Sequence, residues 1–380
     1  MGAARADGEN GGTGHLAWLD LMRFAAAFTV LVGHVRPAVV VSFGALPDEQ
    51  RSALTALLYA VTRLGNEAVL VFFVLSGYLV GGRAVRKLAA GTFSTTDYAL
   101  DRLTRIYVPL VPVLAVSALI AAIRGLPLVG VDLAGTLVGL NTVLTHNFAG
   151  NGPLWSLAYE LWFYVVTGAV GALATTRRLR AVSAALVLLF FLVFSVLSAS
   201  YLFCWVAGLL ACAVQPDRRH DRPAVLVGLA LAALGLWAIQ LGKVSGDTAV
   251  QALREQLPRP SVEAARVLFA AGVALLVQRL ALTPPRAAWL RRVEAAGTPL
   301  AAFSYTLYLV HRPLLVLFEV ERAPRLGWSA LGLGLGLTAA ALAGAWGLYW
   351  LFERRTGDVR RWLRSRLVQG PEAQQRMPST

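Results

Sequence analysis

The sequence predicts an all-α polytopic membrane protein, a bundle of about ten transmembrane helices with both termini in the cytoplasm. Hydrophobic residues make up 57% of the 380 residues and charged residues 15%, whereas soluble domains carry about 25% charge. Long apolar stretches recur along the chain, and arginines collect in every second loop between them. These three observations favour a membrane protein over a soluble globular one.

Ten segments have a length that can cross about 30 Å of hydrocarbon, although some only just reach it. They cover residues 17–41, 66–84, 106–123, 154–175, 181–198, 200–215, 223–241, 262–281, 299–320 and 328–352. The stretch from Asp132 to His146 is apolar but short, which indicates an interfacial or re-entrant segment. We expect residues 1–16 to form a disordered cytoplasmic tail, 17–355 a single transmembrane domain, and 356–380 a basic cytoplasmic tail.

Positive charge follows the even-numbered spans. The residues concerned are Arg83, Arg86, Lys87, Arg102, Arg105, Arg177, Arg178, Arg180, Arg218, Arg219, Arg222, Arg286, Arg291, Arg292, Arg354, Arg355, Arg360, Arg361, Arg364 and Arg366. Because cytoplasmic loops are enriched in Lys and Arg, this alternation places both termini in the cytoplasm and the chain in the cytoplasmic (inner) membrane. The net charge of +14 lies in short loops beside apolar segments, so we expect the lipid bilayer as a partner and no nucleic acid.

The first span contains two ionisable residues, Arg23 and His34. Ionisable side chains at membrane depth are costly, and they usually face an interior cavity and mark a functional site. Eleven residues at about 100° each bring the two onto nearly the same helical face, ~16 Å apart along the axis. This arrangement indicates a site that is reached from both sides of the membrane.

Two later spans add polar residues at a similar depth. Ser156 and Glu160 lie four residues apart on one face of the fourth span. Ser304, Tyr308 and His311 form an i, i+4, i+7 stripe on the ninth span, so this stripe should face into the bundle. Three titratable groups from three helices therefore predict a common site.

A second polar group lies on the predicted cytoplasmic side. Arg102 and Arg105 are three residues apart just before the third span, and guanidinium groups bind phosphate through paired hydrogen bonds. Together with Arg23 they could hold the phosphates of a coenzyme or nucleotide, whose reactive end would reach toward His34. The alternative is that the two arginines only determine topology, and that Glu160 is a buried partner for an arginine.

Five strings occur in a fixed order along the chain. They are LDLMR at 19–23 leading to His34, FFVLSGY at 72–78, RLTRIYVP at 102–109, PLWSLAYE at 153–160 followed by Phe163 and Tyr164, and SYTLYLVHRP at 304–313. Together they resemble the motifs of the acyltransferase-3 family of membrane acyltransferases. Two positions depart from the family's pattern: Phe24 stands where Gly usually follows Arg23, and Arg355 stands where Pro often follows Glu353 and Arg354.

The resemblance implies an enzyme that O-acylates a sugar hydroxyl, usually with acetyl, with acyl-CoA as the usual donor. Family acceptors include lipopolysaccharide O-antigen, peptidoglycan, exopolysaccharide, Nod factors and macrolides. The sequence leaves an envelope polysaccharide and a secreted small glycoside equally open, and it leaves the oligomeric state open. We expect no metal and no permanently bound cofactor, and we interpret Cys204 and Cys212 as small buried apolar residues.

Residue roles follow from the resemblance together with predicted depth. The catalytic candidates are His34, Glu160 and His311; the donor-binding candidates are Arg23, Arg102 and Arg105; the substrate-binding candidates are Ser76, Tyr78, Trp155, Ser156 and Tyr305. His34 would act as general base or transient acyl carrier, and Glu160 would orient a histidine or tune it by its charge. His311 could protonate the departing thiolate or orient the acceptor. The alternative function is a proton-coupled transporter or flippase in which His34, Glu160 and His311 form a proton relay.

Overall fold

The computed structural model describes residues 13–214, 221–243, 261–282, 288–319 and 321–368. This part of the chain is helical and contains no β-strand beyond isolated bridges. The helices are α1 Thr13–Val39, α2 Ala53–Thr62, α3 Gly65–Ser76, α4 Arg83–Ala89, α5 Thr95–Ile123, α6 Gly130–Val138, α7 Trp155–Thr175, α8 Arg180–Phe194, α9 Ala199–Ala213, α10 Asp221–Lys243, α11 Val262–Leu282, α12 Ala288–Ala302, α13 Ser304–Leu317, α14 Trp328–Leu351 and α15 Thr356–Val368. A π-helical turn, Gly77–Gly82, joins α3 to α4.

Seven helical stretches in the described residues are long and apolar enough to cross a membrane. They are Trp18–Val39, Ala53–Ala89, Thr95–Ile123, Gly152–Thr175, Asp221–Leu241, Val262–Leu282 and Trp328–Leu367, and Arg291–Ala302 with Ser304–Leu317 makes an eighth if this broken pair is one span. These findings establish a polytopic all-helical membrane protein. The count of ten and the cytoplasmic termini stay predictions.

The predicted fifth and sixth spans account for the difference in number if the broken pair is one span, and the predicted ninth span is the third missing one if it is not. The fifth and sixth correspond to α8 and α9, which have 15 residues each. At 1.5 Å per residue such a helix is about 22 Å long, which is short for the hydrocarbon core. The stretch predicted as interfacial or re-entrant overlaps α6, whose nine residues are likewise too few to cross.

The predicted tails lie partly outside the described residues, which begin at 13 and end at 368. Helix α1 already includes residues 13–16, and the basic C-terminal segment forms α15 as far as Val368. The chain divides into two compact units, and the single transmembrane domain over 17–355 stays a prediction. The first unit holds residues up to 33, 41–83 and 199–304, and the second holds 34–40, 84–198 and the residues from 305 onward.

In the first unit, glycines allow two helices to approach at backbone distance. A Cβ atom placed on Gly77 would lie 1.9 Å from the carbonyl oxygen of Trp205, and one on Gly208 would lie 1.9 Å from that of Val74. Only glycine fits such a contact, since any side chain would overlap the facing backbone. The end of α3 and α9 therefore approach each other at backbone distance.

In the second unit, local sequence signals begin and end the helices that position the site. The Ser94 hydroxyl accepts a hydrogen bond from the Asp97 amide at 3.2 Å and so caps the start of α5. Gly139, with a φ of 72°, ends α6. Apolar side chains of α5, of α13, and of α7 with the turn before it are fully buried. Among them are Leu110, Leu154, Leu157, Phe163 and Leu309.

Candidate active site

His34 and His311, the two histidines predicted to be catalytic, lie together in the second unit. His311 of α13 is fully buried, and its Nε2 is 3.3 Å from Nδ1 of His34. The ring centroids are 4.9 Å apart and the rings are tilted by 53°. The structure therefore brings two residues 277 positions apart in the sequence into hydrogen-bond contact.

Neighbouring carbonyl groups determine which nitrogen carries each proton. Nδ1 of His311 is 2.7 Å from the carbonyl oxygen of Tyr308 and 3.2 Å from that of Leu307. Since a carbonyl oxygen only accepts, this nitrogen must be the N–H donor, and a neutral His311 then has its lone pair on Nε2. His34 must donate from Nδ1 to that lone pair. The lone pair of a neutral His34 is consequently on its Nε2.

A hydroxyl pair lies one helical turn before His311. Tyr308 donates to the carbonyl oxygen of Pro153 at 2.9 Å, and the Ser156 hydroxyl is 2.6 Å from the Tyr308 oxygen. With the phenol proton directed to Pro153, the Ser156 hydroxyl is the donor in the second bond. Both side chains are buried, so the predicted polar stripe on this helix does face inward.

The chain before α7 is held against α13 by an amide. Asn151, 1% exposed, donates to the carbonyl oxygen of Leu309 at 2.9 Å. That carbonyl cannot accept the usual bond from the fourth residue along its helix, because that residue is Pro313, which lacks an N–H group. In the same stretch Thr142 and Ala149 have φ values of 74° and 53°, which are costly for residues with a side chain.

The two motif arginines lie in α5 and each is paired with a carboxylate. Arg102 forms an ion pair with Asp101 and stacks on the ring of Tyr164 at 5.2 Å. Arg105 contacts the buried Glu353 at 2.9 Å. Asp101 also contacts Arg360 of α15, so the C-terminal helix takes part in the same cluster.

Tyr305 lies beside this cluster, with its ring 5.4 Å from the Arg105 guanidinium. Its hydroxyl oxygen is buried, and no described residue forms a hydrogen bond with it. The phenol is within electrostatic range of Glu160 as well as of Arg105. A substrate atom that reached this hydroxyl would satisfy a buried polar group.

Glu160 lies four residues after Ser156 on α7 and accepts a hydrogen bond from Tyr164 at 2.5 Å. Tyr164 is also the ring on which Arg102 stacks, so Glu160 is connected to the arginine cluster through it. The predicted role of Glu160 toward a histidine differs from this contact with Tyr164, and it stays a prediction. Trp155, at the start of α7, packs edge-on against Tyr159 at 5.7 Å.

Eight of the eleven predicted site residues belong to the second unit: His34, Arg102, Arg105, Trp155, Ser156, Glu160, Tyr305 and His311. The other three, Arg23, Ser76 and Tyr78, belong to the first. There Arg23 contacts Asp20 at 3.4 Å. The Ser76 hydroxyl and the buried Tyr78 lie at the start of the π-helical turn. Phe24, which replaces the family's glycine, packs against Phe28 and Phe303.

Sequence reasoning missed four residues of the site: Asp101, Asn151, Glu353 and Arg360. Pro313 was a usable signal for Asn151, because a proline inside a helix leaves a carbonyl that needs a donor from outside the helix. Glu353 was visible only as part of a string at the end of the last span. Arginines are the groups here that can hold phosphate, and no group of three metal-ligating side chains occurs in the described residues.

Comparison with known proteins gives one match. The family model of the acyltransferase domain, acyltransferase-3, matches residues 16–350. Neither the search of curated proteins nor that of solved structures finds a significant match.

Proposed function

Because the chain belongs to the acyltransferase-3 family and is a membrane acyltransferase, we propose that it transfers an acyl group from cytosolic acyl-CoA to a hydroxyl group. The acceptor is a carbohydrate or glycoside on the extracytoplasmic side, and the acyl group is acetyl by default. The enzyme is thus an acyl-CoA-dependent O-acyltransferase.

The contact between His34 and His311 is the observation that carries this proposal. A hydroxyl group attacks a thioester readily only if a base removes its proton, and a neutral imidazole is suited to this near pH 7. Nε2 of His34 carries the lone pair and is assigned the role of base, while His311 accepts the Nδ1 proton and holds the ring in this tautomer.

The transfer then balances in two steps. The acceptor oxygen attacks the thioester carbonyl carbon while its proton moves to His34, and a C–O bond forms. The C–S bond breaks as the tetrahedral intermediate collapses, and the thiolate leaves as free coenzyme after taking the proton from the imidazolium. In the alternative covalent route, His34 carries the acyl group transiently before the acceptor attacks.

Arg102 and Arg105 are proposed to bind the donor phosphates, with Arg23 as the third contributor predicted from the sequence. In the cluster, three guanidinium groups, Arg102, Arg105 and Arg360, face two carboxylates, Asp101 and Glu353. Each guanidinium has more N–H groups than its ion pair uses, and these further donors favour an anionic ligand.

The acceptor side of the site is proposed to include Ser156 and Trp155; Ser76 and Tyr78 stay substrate-binding candidates predicted from the sequence. Tyr305, whose ring contacts the Arg105 guanidinium, supplies a buried hydroxyl group there. Glu160 acts there by its charge, which attracts the imidazolium that forms during transfer.

The experiment that tests this function measures donor binding and thioester cleavage in purified, lipid-embedded protein. Acetyl-CoA should raise the unfolding temperature, since a ligand at 100 times its Kd stabilises the folded state by about 2.7 kcal/mol. Thiol release should follow even without the natural acceptor, because water can replace it slowly. The variant Arg102→Ala/Arg105→Ala should lose the stabilisation, and His34→Ala should retain it but release no thiol.

The matched control is Arg177→Ala/Arg178→Ala, an exposed arginine pair that forms no ion pair with any of the described residues. It should bind and cleave acetyl-CoA as the parent does. Full thiol release by folded His34→Ala would contradict the base assignment. Absence of both stabilisation and cleavage in folded parent protein, together with proton-coupled uptake of a solute, would instead support the transporter.

A further inference from the structure

Glu353 joins two parts of the proposed site that lie far apart in the sequence. It sits just after α14, in the short helical turn Glu353–Arg355, and is 3% exposed. One carboxylate oxygen accepts from Arg105 at 2.9 Å. The other accepts from the Thr306 backbone amide at 3.2 Å and from the Thr306 hydroxyl at 2.6 Å.

These contacts meet at the first turn of α13. The amide groups in the first turn of a helix have no partner within the helix, and the positive end of the helix dipole attracts a carboxylate. Glu353 supplies that carboxylate from another part of the chain. Tyr305, in the same turn, covers the face of the Arg105 guanidinium. Arg105 and the start of α13 therefore share one set of contacts.

His311 follows Thr306 by five residues, or about 7.5 Å along the helix. Its Nδ1 is bonded to carbonyl groups of α13 itself, so the imidazole moves with this helix. A displacement of the first turn would change the distance from His311 to His34. The position of Arg105 and the position of the imidazole pair are thus linked through a single carboxylate.

We propose that Glu353 is a positioning residue that couples donor binding at Arg105 to the geometry of the His34–His311 pair. This inference rests on the proposed acyl-CoA-dependent function. It predicts that one substitution at Glu353 impairs donor binding and turnover together, although the side chain contacts neither reacting group. A residue that only stabilises the first turn of α13 would affect protein stability and leave the donor KM and kcat unchanged.

The test compares Glu353→Gln with variants of its two partners in the thiol-release assay. Glutamine keeps the shape of glutamate but has one acceptor oxygen for three donors. We expect Glu353→Gln to raise the donor KM and lower kcat, each by about tenfold or more, the effect of losing one charge-assisted hydrogen bond. Arg105→Gln should raise the donor KM alone, and Thr306→Val should lower kcat with little change in KM.

Glu319→Gln is the matched control, because Glu319 lies just past the other end of α13 and pairs with Arg124 at 2.6 Å on the surface. It should leave both constants unchanged. If Glu353→Gln fails to fold, Thr306→Val still gives the answer, since it retains the ion pair and the backbone amide. Unchanged kcat and KM in folded Glu353→Gln or unchanged kcat in Thr306→Val would overturn the coupling, while absence of thioester cleavage in the parent would overturn the proposed function itself.

Discussion

At the scale of single residues, the acceptor that His311 offers to His34 determines which nitrogen of His34 can act as a base. Replacing His311 by Phe removes this acceptor, so we expect kcat for thiol release to fall by about 10²-fold or more, with the donor KM unchanged. His311→Gln should recover part of the loss, since its amide oxygen can accept the Nδ1 proton of His34. Full activity in folded His311→Phe would show that the tautomer of His34 is set by another group.

A second prediction at this scale concerns the buried hydroxyl pair. Tyr308→Phe removes the bond to Pro153 and the acceptor for Ser156. We expect it to lower the free energy of unfolding by about 1–3 kcal/mol, measured by titration in mixed micelles. Ser156→Ala removes only one of the two bonds and should cost less. Equal stability of Tyr308→Phe and the parent would mean that these bonds contribute nothing to folding.

Which residues would share a site could be predicted only in part. Periodicity predicted that Tyr308 and His311 face inward, because residues three and four apart on a helix lie on one side. It could not predict that Glu353 meets Thr306, since nothing in either local sequence specifies which helix end lies beside which. Such a contact depends on the packing of the whole bundle, and it becomes visible only in the structure.

At the scale of single elements, Asn151 and Pro313 form a compensating pair on α13. Asn151→Ala should destabilise the protein by about 1–3 kcal/mol, because the Leu309 carbonyl loses its donor. In a Pro313→Ala background the new amide of residue 313 can bond that carbonyl, so the same Asn151 substitution should then cost much less. A double-mutant cycle measures this difference. Additive effects in the cycle would contradict the compensation.

The contact of α3 with α9 gives a further prediction. Gly208→Ala would place a Cβ atom 1.9 Å from the Val74 carbonyl oxygen, so the helices must separate and we expect a loss of about 3 kcal/mol or failure to fold. Gly336→Ala in α14 is the control, because its Cβ would meet nothing within 4 Å. Alanine there should be neutral or stabilising, since it is the better helix former. Similar folded yields for both variants would exclude tight packing at Gly208.

Element type was predictable from composition, whereas element boundaries were not. Apolar runs located α5, α7, α10, α11 and α14 because a span must be apolar over its whole length. The same criterion could not show that the fifth and sixth predicted spans are 15-residue helices, since a short buried helix is as apolar as a spanning one.

At the scale of the whole molecule, the number of spans decides on which sides of the membrane the two ends of the chain lie. Between Arg178 and Arg361 lie the spans that start at Asp221, Val262 and Trp328, and a fourth if the broken pair of α12 and α13 crosses. With four crossings the two arginines lie on the same side, and with three they lie on opposite sides. The arginine distribution predicts the same side, because both residues lie in clusters that the positive-inside rule assigns to the cytoplasm.

Cysteine labelling in intact cells distinguishes these arrangements. His146, Arg178 and Arg361 are exposed and suit single-cysteine reporters, while Cys204 and Cys212 are buried and should label poorly. We expect a membrane-impermeant maleimide to label His146→Cys in intact cells, and Arg178→Cys and Arg361→Cys only after permeabilisation. If intact cells label Arg361→Cys but not Arg178→Cys, the number of crossings between these two positions is odd. The C-terminal helix would then lie outside, and Arg360 with it, out of reach of cytosolic acyl-CoA.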